Sequence, residues 1–245
     1  MKVVFLGTSD GLPRRGHHPS ATVVEVGSSY YLIDAGAPVV DLLIAYGYDP
    51  NRLGGFFNTH CHGDHYNGLL YLLTLAESYY RDCSCEFLLA EQQIADALVS
   101  VVEAERGQPF PYGRLRVRSF EAGVIFDDGN LRVTAIPTAH CRPKPSYALL
   151  LEGDGKRILM TGDLSQWLAG DDFPKLAFTK ELDLIVCEMA HFSPEHILPY
   201  LKNCKAKDVY FTHVFPLEKY EMIKEMAKEL PFRIHTPNDG NSIVL

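Results

Sequence analysis

The stretch His60-Cys61-His62-Gly63-Asp64-His65 follows an apolar run that contains Phe56 and Phe57. Its histidine and aspartate side chains offer imidazole nitrogen and carboxylate oxygen, the ligands that borderline divalent cations prefer. Residues two apart in an extended segment project to the same side, so His60 and His62 can bind one ion, which leaves Asp64 and His65 for a second. A polar turn with incidental histidines is the alternative, which the spacing disfavours. The motif therefore predicts a dinuclear metal site.

Composition and charge narrow the class of protein. The 245 residues are 47% hydrophobic and 22% charged, which is typical of a globular protein, and we predict a single domain over residues 1–245. A net charge of −8 argues against nucleic-acid binding by general electrostatic attraction. Neither a signal peptide nor a membrane-spanning apolar run is recognisable, so we expect a cytoplasmic protein. The six cysteines include no Cys-x-x-Cys pair, which favours reduced thiols over a disulfide scaffold.

The order of predicted elements indicates the fold class. Strands are predicted at residues 3–6, 22–26, 30–33, 54–59, 85–89, 115–120, 131–136, 147–152, 157–161, 184–187 and 209–212. Helices are predicted at residues 39–45, 66–77, 91–105, 171–179, 194–203 and 218–229. Strand-rich stretches followed by strand–helix alternation in both halves predict an α+β protein with two sheets packed face to face and helices outside. Residues 107–113, rich in Gly and Pro, are predicted to form a surface loop that is a candidate to cover the site.

Three further residues are candidate ligands because each follows a predicted strand. His140 follows the strand that ends at residue 136, Asp163 stands in Thr161-Gly162-Asp163, and His213 ends Phe211-Thr212-His213. Taken singly, each is more often an ordinary loop or core residue. Together with the opening motif they make a set of seven, and strand ends hold ligand geometry well. We therefore predict that all seven bind metal.

The motif, His140, Asp163 and His213, in this order over nearly the whole chain, resemble the metallo-β-lactamase-fold hydrolases. The resemblance implies an αββα sandwich of two mixed β-sheets flanked by helices, with the ligands in loops at one edge. It also implies a division of the ligands. His60, His62 and His140 would bind the first metal, Asp64, His65 and His213 the second, and Asp163 would bridge both.

Other segments are similar to the ribonuclease Z and phosphodiesterase branch of this superfamily. The N-terminal segment from Phe5 to Pro13 resembles the opening of that branch, and residues 183–191 resemble its His-Glu-Ala-Thr segment. The resemblance implies that Glu188 and His191 assist proton transfer to the leaving oxygen. This chain departs from the pattern at Cys187, where the branch has His, and His196 competes with His191 for the equivalent place.

The predicted reaction is hydrolysis by a hydroxide that bridges two divalent ions, because metal binding lowers the pKa of water from about 15.7 towards about 7. Zinc is preferred, with manganese or iron as alternatives. Asp64 would orient the attacking water. True β-lactamases of this fold commonly carry Cys or Ser near the place of Asp163, so the resemblance points away from lactam substrates. Together with the N-terminal segment and the segment around Glu188, it implies a small anionic phosphodiester as substrate.

Several alternatives stay open at this point. The same metals could hydrolyse a carboxylic ester, lactone or thioester, and a non-enzymatic metal-binding sensor would retain the fold without turnover. Because the chain is acidic and lacks the long Gly/Pro-rich arm with which ribonuclease Z enzymes hold tRNA, we do not expect tRNA as a partner. A membrane partner is not expected either, because no apolar run is long enough to span one. A homodimer is a possible assembly. His17 and His18, beside Arg14 and Arg15, would either bind an anionic group or form a solvated loop.

Overall fold

The computed structural model describes residues 1–245 and contains two seven-stranded mixed sheets. The strands of the first sheet lie in the order β14 (Ser242–Val244), β1 (Lys2–Gly7), β2 (Ala21–Val26), β3 (Ser29–Ile33), β4 (Leu53–Phe57), β5 (Cys85–Leu89) and β6 (Leu115–Ser119). Those of the second lie in the order β13 (Arg233–His235), β12 (Ala206–Val214), β11 (Leu182–Met189), β10 (Lys156–Met160), β9 (Tyr147–Gly153), β8 (Arg132–Pro137) and β7 (Gly123–Asp127).

Six α-helices cover the outer faces of the two sheets. They are α1 (Val39–Ala45), α2 (Gly63–Tyr66), α3 (Leu69–Ser78), α4 (Gln92–Arg106), α5 (Pro194–Leu201) and α6 (Lys219–Ala227). The first four belong to the side of the first sheet, and α5 and α6 pack on the second. The predicted αββα sandwich is thereby confirmed. No helix combines the length and the apolar character needed to cross a membrane.

Strand β1 shows why both sheets are buried on two faces. Its side chains point alternately to opposite faces, as the geometry of a strand requires. Val4 and Leu6 pack with the helices of the first sheet, whereas Val3 and Phe5 pack between the two sheets. Complete burial of such a side chain contributes about 1.5–3 kcal/mol to stability. The continuous apolar run of β1 is therefore the pattern of a doubly buried strand.

Strand direction brings the polar loops to a common edge. In the first sheet β3, β4, β5 and β6 are parallel to one another. In the second sheet β10, β11, β12 and β13 are parallel, and β8 runs with β10 because both are antiparallel to β9. The segments that follow β4, β8 and β10, together with the end of β12, carry the predicted ligands. Co-directed strands thus deliver ligands from both sheets to one place.

Some predicted elements differ from the structure. Residues 171–179 form turns and a short 3₁₀ helix, Lys175–Phe178, instead of an α-helix. Pro174 precedes this turn, and the carboxylate of Asp172 is bonded to two other loops. The surface loop 107–113 does not cover the ligands. It leads into the beginning of β6, whereas the ligand motif follows the end of β4. Because β4, β5 and β6 are parallel, the loop and the motif lie at opposite ends of these strands.

Candidate metal centre

The ligand motif begins in the loop after β4 and continues into α2, and a glycine allows a second ligand loop to pack against it. Gly162 precedes Asp163 and has a φ of +57°. A Cβ at this position would lie 2.8 Å from Thr59 Cβ and 2.9 Å from the Tyr147 carbonyl oxygen. Only glycine combines the left-handed backbone with this close approach. The loop that carries Asp163 is therefore shaped to meet the loop that carries His60.

The first group of donors consists of three imidazoles and one carboxylate. His62 Nδ1 lies 3.1 Å from His60 Nε2 and 3.1 Å from His140 Nε2. Asp163 Oδ2 lies 3.7 Å from His60 Nε2 and 3.7 Å from His140 Nε2. Ligands about 2.0–2.1 Å from a tetrahedral zinc are about 3.3 Å apart. These four measured spacings are therefore close to those around one ion of that size.

Hydrogen bonds on the far side of the His60 and His140 rings leave the inner nitrogens of these two rings without protons. Thr59 Oγ1 donates to Asp34 and so accepts from His60 Nδ1 at 3.1 Å, and His140 Nδ1 donates to the Leu164 carbonyl oxygen at 3.1 Å. A neutral imidazole that donates from Nδ1 has only a lone pair at Nε2. The lone pairs of His60 and His140 thus both face His62 Nδ1, which is able to donate to only one of them. A cation between the three nitrogens satisfies them all.

The second group is formed by Asp64, His65, His213 and, again, Asp163. Asp64 Oδ2 lies 3.6 Å from His65 Nε2 and 3.6 Å from His213 Nε2. Asp163 Oδ1 lies 3.5 Å from His65 Nε2, and Asp163 Oδ2 lies 3.4 Å from His213 Nε2. His65 Nε2 is buried and has no hydrogen-bond partner. An orphaned buried nitrogen facing two carboxylates fits a metal ligand.

The electrostatics of the cluster favour bound cations. Burial holds the pKa of His60 well below its usual value, so its ring stays neutral. Burial acts to lower the pKa of His65, but Asp163 and Asp34 outweigh it and raise that pKa well above its usual value. Desolvation would raise the pKa of Asp163, yet the histidines around it, first His213 and then His65, hold it well below its usual value. The site therefore keeps its carboxylate ionised and stabilises positive charge.

Asp34 holds the ligand motif in place through hydrogen bonds. It was not among the residues predicted from the sequence. Its carboxylate accepts from His65 Nδ1 at 2.7 Å, Thr59 Oγ1 at 2.8 Å, Thr59 N at 2.8 Å and Asn58 Nδ2 at 3.0 Å. The residue is buried and has a left-handed backbone, with a φ of 55°. Such strain is held in place by the surrounding bonds and is common beside functional sites. The only sequence feature that pointed to a role for Asp34 in the site was its position directly after β3.

Glu188 and His191 meet at the edge of the cluster. His191 Nδ1 lies 3.0 Å from Glu188 Oε1 and 3.8 Å from Asp163 Oδ2, and the ring is 30% exposed. Glu188 also accepts from Leu164 N at 3.0 Å, Ala190 N at 2.6 Å and His191 N at 3.1 Å. Burial acts to lower the pKa of His191, but the bond to Glu188 outweighs it and raises that pKa.

His196 does not share this place. Its Nδ1 lies 2.6 Å from Ser193 Oγ and accepts from Ser193 N at 3.3 Å. The bond from Ser193 N belongs to a capping box at the beginning of α5, in which the Ser193 side chain also accepts from the main-chain nitrogen of His196. Of the two competing histidines, the structure therefore brings only His191 to Glu188.

The N-terminal loop forms one wall of the site. Gly11 has a φ of +88°, and a Cβ there would lie 2.8 Å from Asp64 Oδ2. Arg14 pairs with Asp10 through both guanidinium nitrogens, and Asp239 accepts from His18 N at 2.7 Å while lying 2.8 Å from His18 Nδ1. Arg14 and His18 therefore hold the loop through internal partners rather than standing free to bind an anion.

Comparisons with known proteins agree with the fold and the motif. Ribonuclease Z of Pseudomonas putida is 32% identical over 149 residues, which cover 60% of this chain and 46% of that protein. The chain spans about half the length of this and several other curated relatives.

Solved structures show the same fold at low identity. The metallo-β-lactamase fold protein YhfI of Bacillus subtilis has a TM-score of 0.79 at 18% identity, covering 99% of this chain and 98% of that one. The short form of human tRNase Z has a TM-score of 0.77 at 20% identity, covering 100% and 99%. The family model described as Anti-Pycsar protein Apyc1 matches residues 1–196. The chain therefore has the metallo-β-lactamase fold and belongs to the Anti-Pycsar protein Apyc1 family.

Proposed function

We propose that the chain is a hydrolase that binds two divalent metal ions and cleaves a small phosphodiester. The observation that carries this proposal is a cluster of seven His and Asp side chains in which Asp163 lies 3.7 Å from His60 and from His140, 3.5 Å from His65 and 3.4 Å from His213. The first metal would be held by His60, His62 and His140, and the second by Asp64, His65 and His213. Zinc suits this set of imidazoles and carboxylates, and manganese or iron would fit the same donors.

The metal ions would act as Lewis acids that activate water for attack on phosphorus and neutralise charge on its oxygens. The residues of the chain then divide the remaining work. Asp64, whose carboxylate lies next to Gly11 of the N-terminal loop, would orient the attacking water. His191 would donate a proton from Nε2 to the leaving oxygen, since its Nδ1 is bonded to Glu188. Glu188 would act through His191, because both its oxygens already accept hydrogen bonds.

The experiment is turnover of bis-p-nitrophenyl phosphate and of a cyclic nucleotide by the zinc-loaded protein. We expect hydrolysis of both, loss of it on chelation and recovery when zinc is returned. A sample with a full complement of metal that cleaves neither ester would overturn the proposal. Turnover of thioesters and lactones, assayed in parallel, would identify the alternative hydrolase activity. Binding of metal without turnover of any substrate would favour a non-enzymatic sensor.

RNA is a second candidate substrate, favoured by the relatives named ribonuclease Z and ribonuclease BN. Against it stand the net charge of −8 and the brevity of the loop at 107–113. Incubation with a precursor tRNA under the same conditions separates the two. Efficient cleavage of that RNA together with inert small esters would replace the small phosphodiester as the proposed substrate.

A further inference from the structure

Lys219, the first residue of α6, has a buried ammonium group that the proposed reaction does not use. The residue is 8% exposed. Its Nζ donates to three carbonyl oxygens of one turn, at 2.8 Å to Met189, 2.9 Å to Ala190 and 2.6 Å to Phe192. The three N–H donors of the ammonium are thereby used on main-chain oxygens. His191 lies inside this turn.

The same turn is held from its other side by Glu188. The carboxylate accepts from the main-chain nitrogens of Ala190 and His191 and from the His191 ring. A cation therefore fixes the carbonyls of the turn while an anion fixes its amides. Burial lowers the pKa of Lys219, and the charge of Glu188 acts against this. The turn is clamped between opposite charges.

A contribution to stability does not by itself explain why the Lys219 ammonium is buried. A buried charge costs free energy that an apolar side chain of the same size would not. The next lysines of the same helical region, Lys224 and Lys228, are exposed and pair with glutamates three residues earlier. Only Lys219 turns inward, and it does so beneath the turn that carries His191.

We propose that Lys219 is a positioning residue that holds the His191 turn so that the imidazole stays bonded to Glu188 at the edge of the metal cluster. The inference rests on the proposed function for its chemical meaning. During hydrolysis the attacking water releases one proton to solvent, its oxygen forms the new bond to phosphorus, and the bond to the leaving oxygen breaks with the electron pair staying on that oxygen. His191 gives that oxygen a proton from Nε2 and is reprotonated from solvent.

The first test compares two leaving groups in Lys219→Met, which keeps most of the volume and removes the charge and the donors. p-Nitrophenolate leaves without a proton, whereas the alkoxide of a cyclic nucleotide requires one. We expect kcat for the cyclic nucleotide to fall about 100-fold, the cost of a misplaced catalytic group, while bis-p-nitrophenyl phosphate changes less than about threefold. Metal content stays at the wild-type value.

Lys224→Met is the matched control, because it removes an exposed lysine from the same helix. It should leave both rates unchanged. Equal losses on both substrates in Lys219→Met, with metal retained, would show a merely structural role and overturn the inference. A wild type that cleaves neither substrate would instead overturn the proposed function. If Lys219→Met does not fold, Lys219→Gln is used instead, and the same difference between the two substrates is expected, because a neutral amide with two N–H groups cannot donate to all three carbonyl oxygens.

A second test does not depend on activity. In the wild type we expect the His191 Nδ1 proton, bonded to Glu188, to give a slowly exchanging NMR resonance, assigned by its absence from His191→Gln. In Lys219→Met this resonance should exchange with water and disappear. A resonance that persists unchanged in the variant would contradict the inference.

Discussion

Asp163 contacts both groups of ligands, so its removal is expected to affect two ions at once. In Asp163→Ala, occupancy at both metals should fall together, because Oδ2 lies 3.7 Å from His60 Nε2 and 3.4 Å from His213 Nε2. Metal content measured by elemental analysis checks this. Asp127→Ala, which removes an exposed carboxylate paired with Arg132, is the control. Loss of a single ion would refute the bridging role.

Asp34 acts on the metals without reaching them. In Asp34→Asn the backbone can keep its left-handed conformation, but one acceptor oxygen replaces two and the charge that orients His65 is lost. We expect zinc affinity to weaken about 10- to 100-fold, measured by competition with a fluorescent chelator. Asp208→Asn is a matched control, because Asp208 is equally buried and bonds Arg233 in another part of the fold. Unchanged zinc affinity in Asp34→Asn would contradict this role.

How far single residues could be predicted depended on their chemistry. The seven candidate ligands were recognisable because His and Asp recur at strand ends in the order of a known motif. Asp34 and Lys219 gave no comparable signal, since a carboxylate after a strand and a lysine at the beginning of a helix are usual at surfaces. What distinguishes them is burial, which depends on elements far apart in the sequence. Their functional roles, like those of the ligands, stay predictions.

At the scale of an element, the N-terminal loop offers a matched pair of glycines. Gly11 and Gly16 both have left-handed backbones, but a Cβ on Gly11 would meet Asp64 Oδ2 whereas one on Gly16 meets nothing within 4 Å. Alanine at either position costs about 1–2 kcal/mol of backbone strain. We expect only Gly11→Ala to displace Asp64 and lower occupancy of the second metal. Equal metal content in the two variants would show that the loop does not constrain Asp64.

Elements were predicted best where their pattern was long and apolar. The central strands and α4 agree with the prediction because their periodic apolar residues are buried. The strands β7, β13 and β14 were missed, since they lie at or near the edges of the sheets and carry exposed or half-buried residues. The helix predicted at 171–179 was wrong because Asp172 is committed to hydrogen bonds with Ala139 N and Ser165 N. Such long-range hydrogen bonds do not change the periodicity of apolar residues in the sequence, from which the helix was predicted.

At the scale of the molecule, bound metal should stabilise the fold, because ligands from both sheets meet at the site. Free zinc at about 100 times its Kd stabilises the folded state by about 2.7 kcal/mol per site. For a chain of this size, that corresponds to a rise in Tm of about 5–10 °C per site. Calorimetry with and without chelator measures the effect. Asp163→Ala should melt at the same temperature in both conditions, and an equal response to chelator in that variant would contradict the model.

Asp239 joins the last part of the chain to the first. Its carboxylate accepts from Thr8 N and His18 N, while β14 pairs with β1 beside it. The main-chain N–H of His213, one of the seven candidate donors, donates to the Thr8 carbonyl oxygen. During synthesis on the ribosome, the N-terminal wall therefore lacks its anchor until residue 239 has emerged. Metal loading should consequently follow the emergence of residue 239.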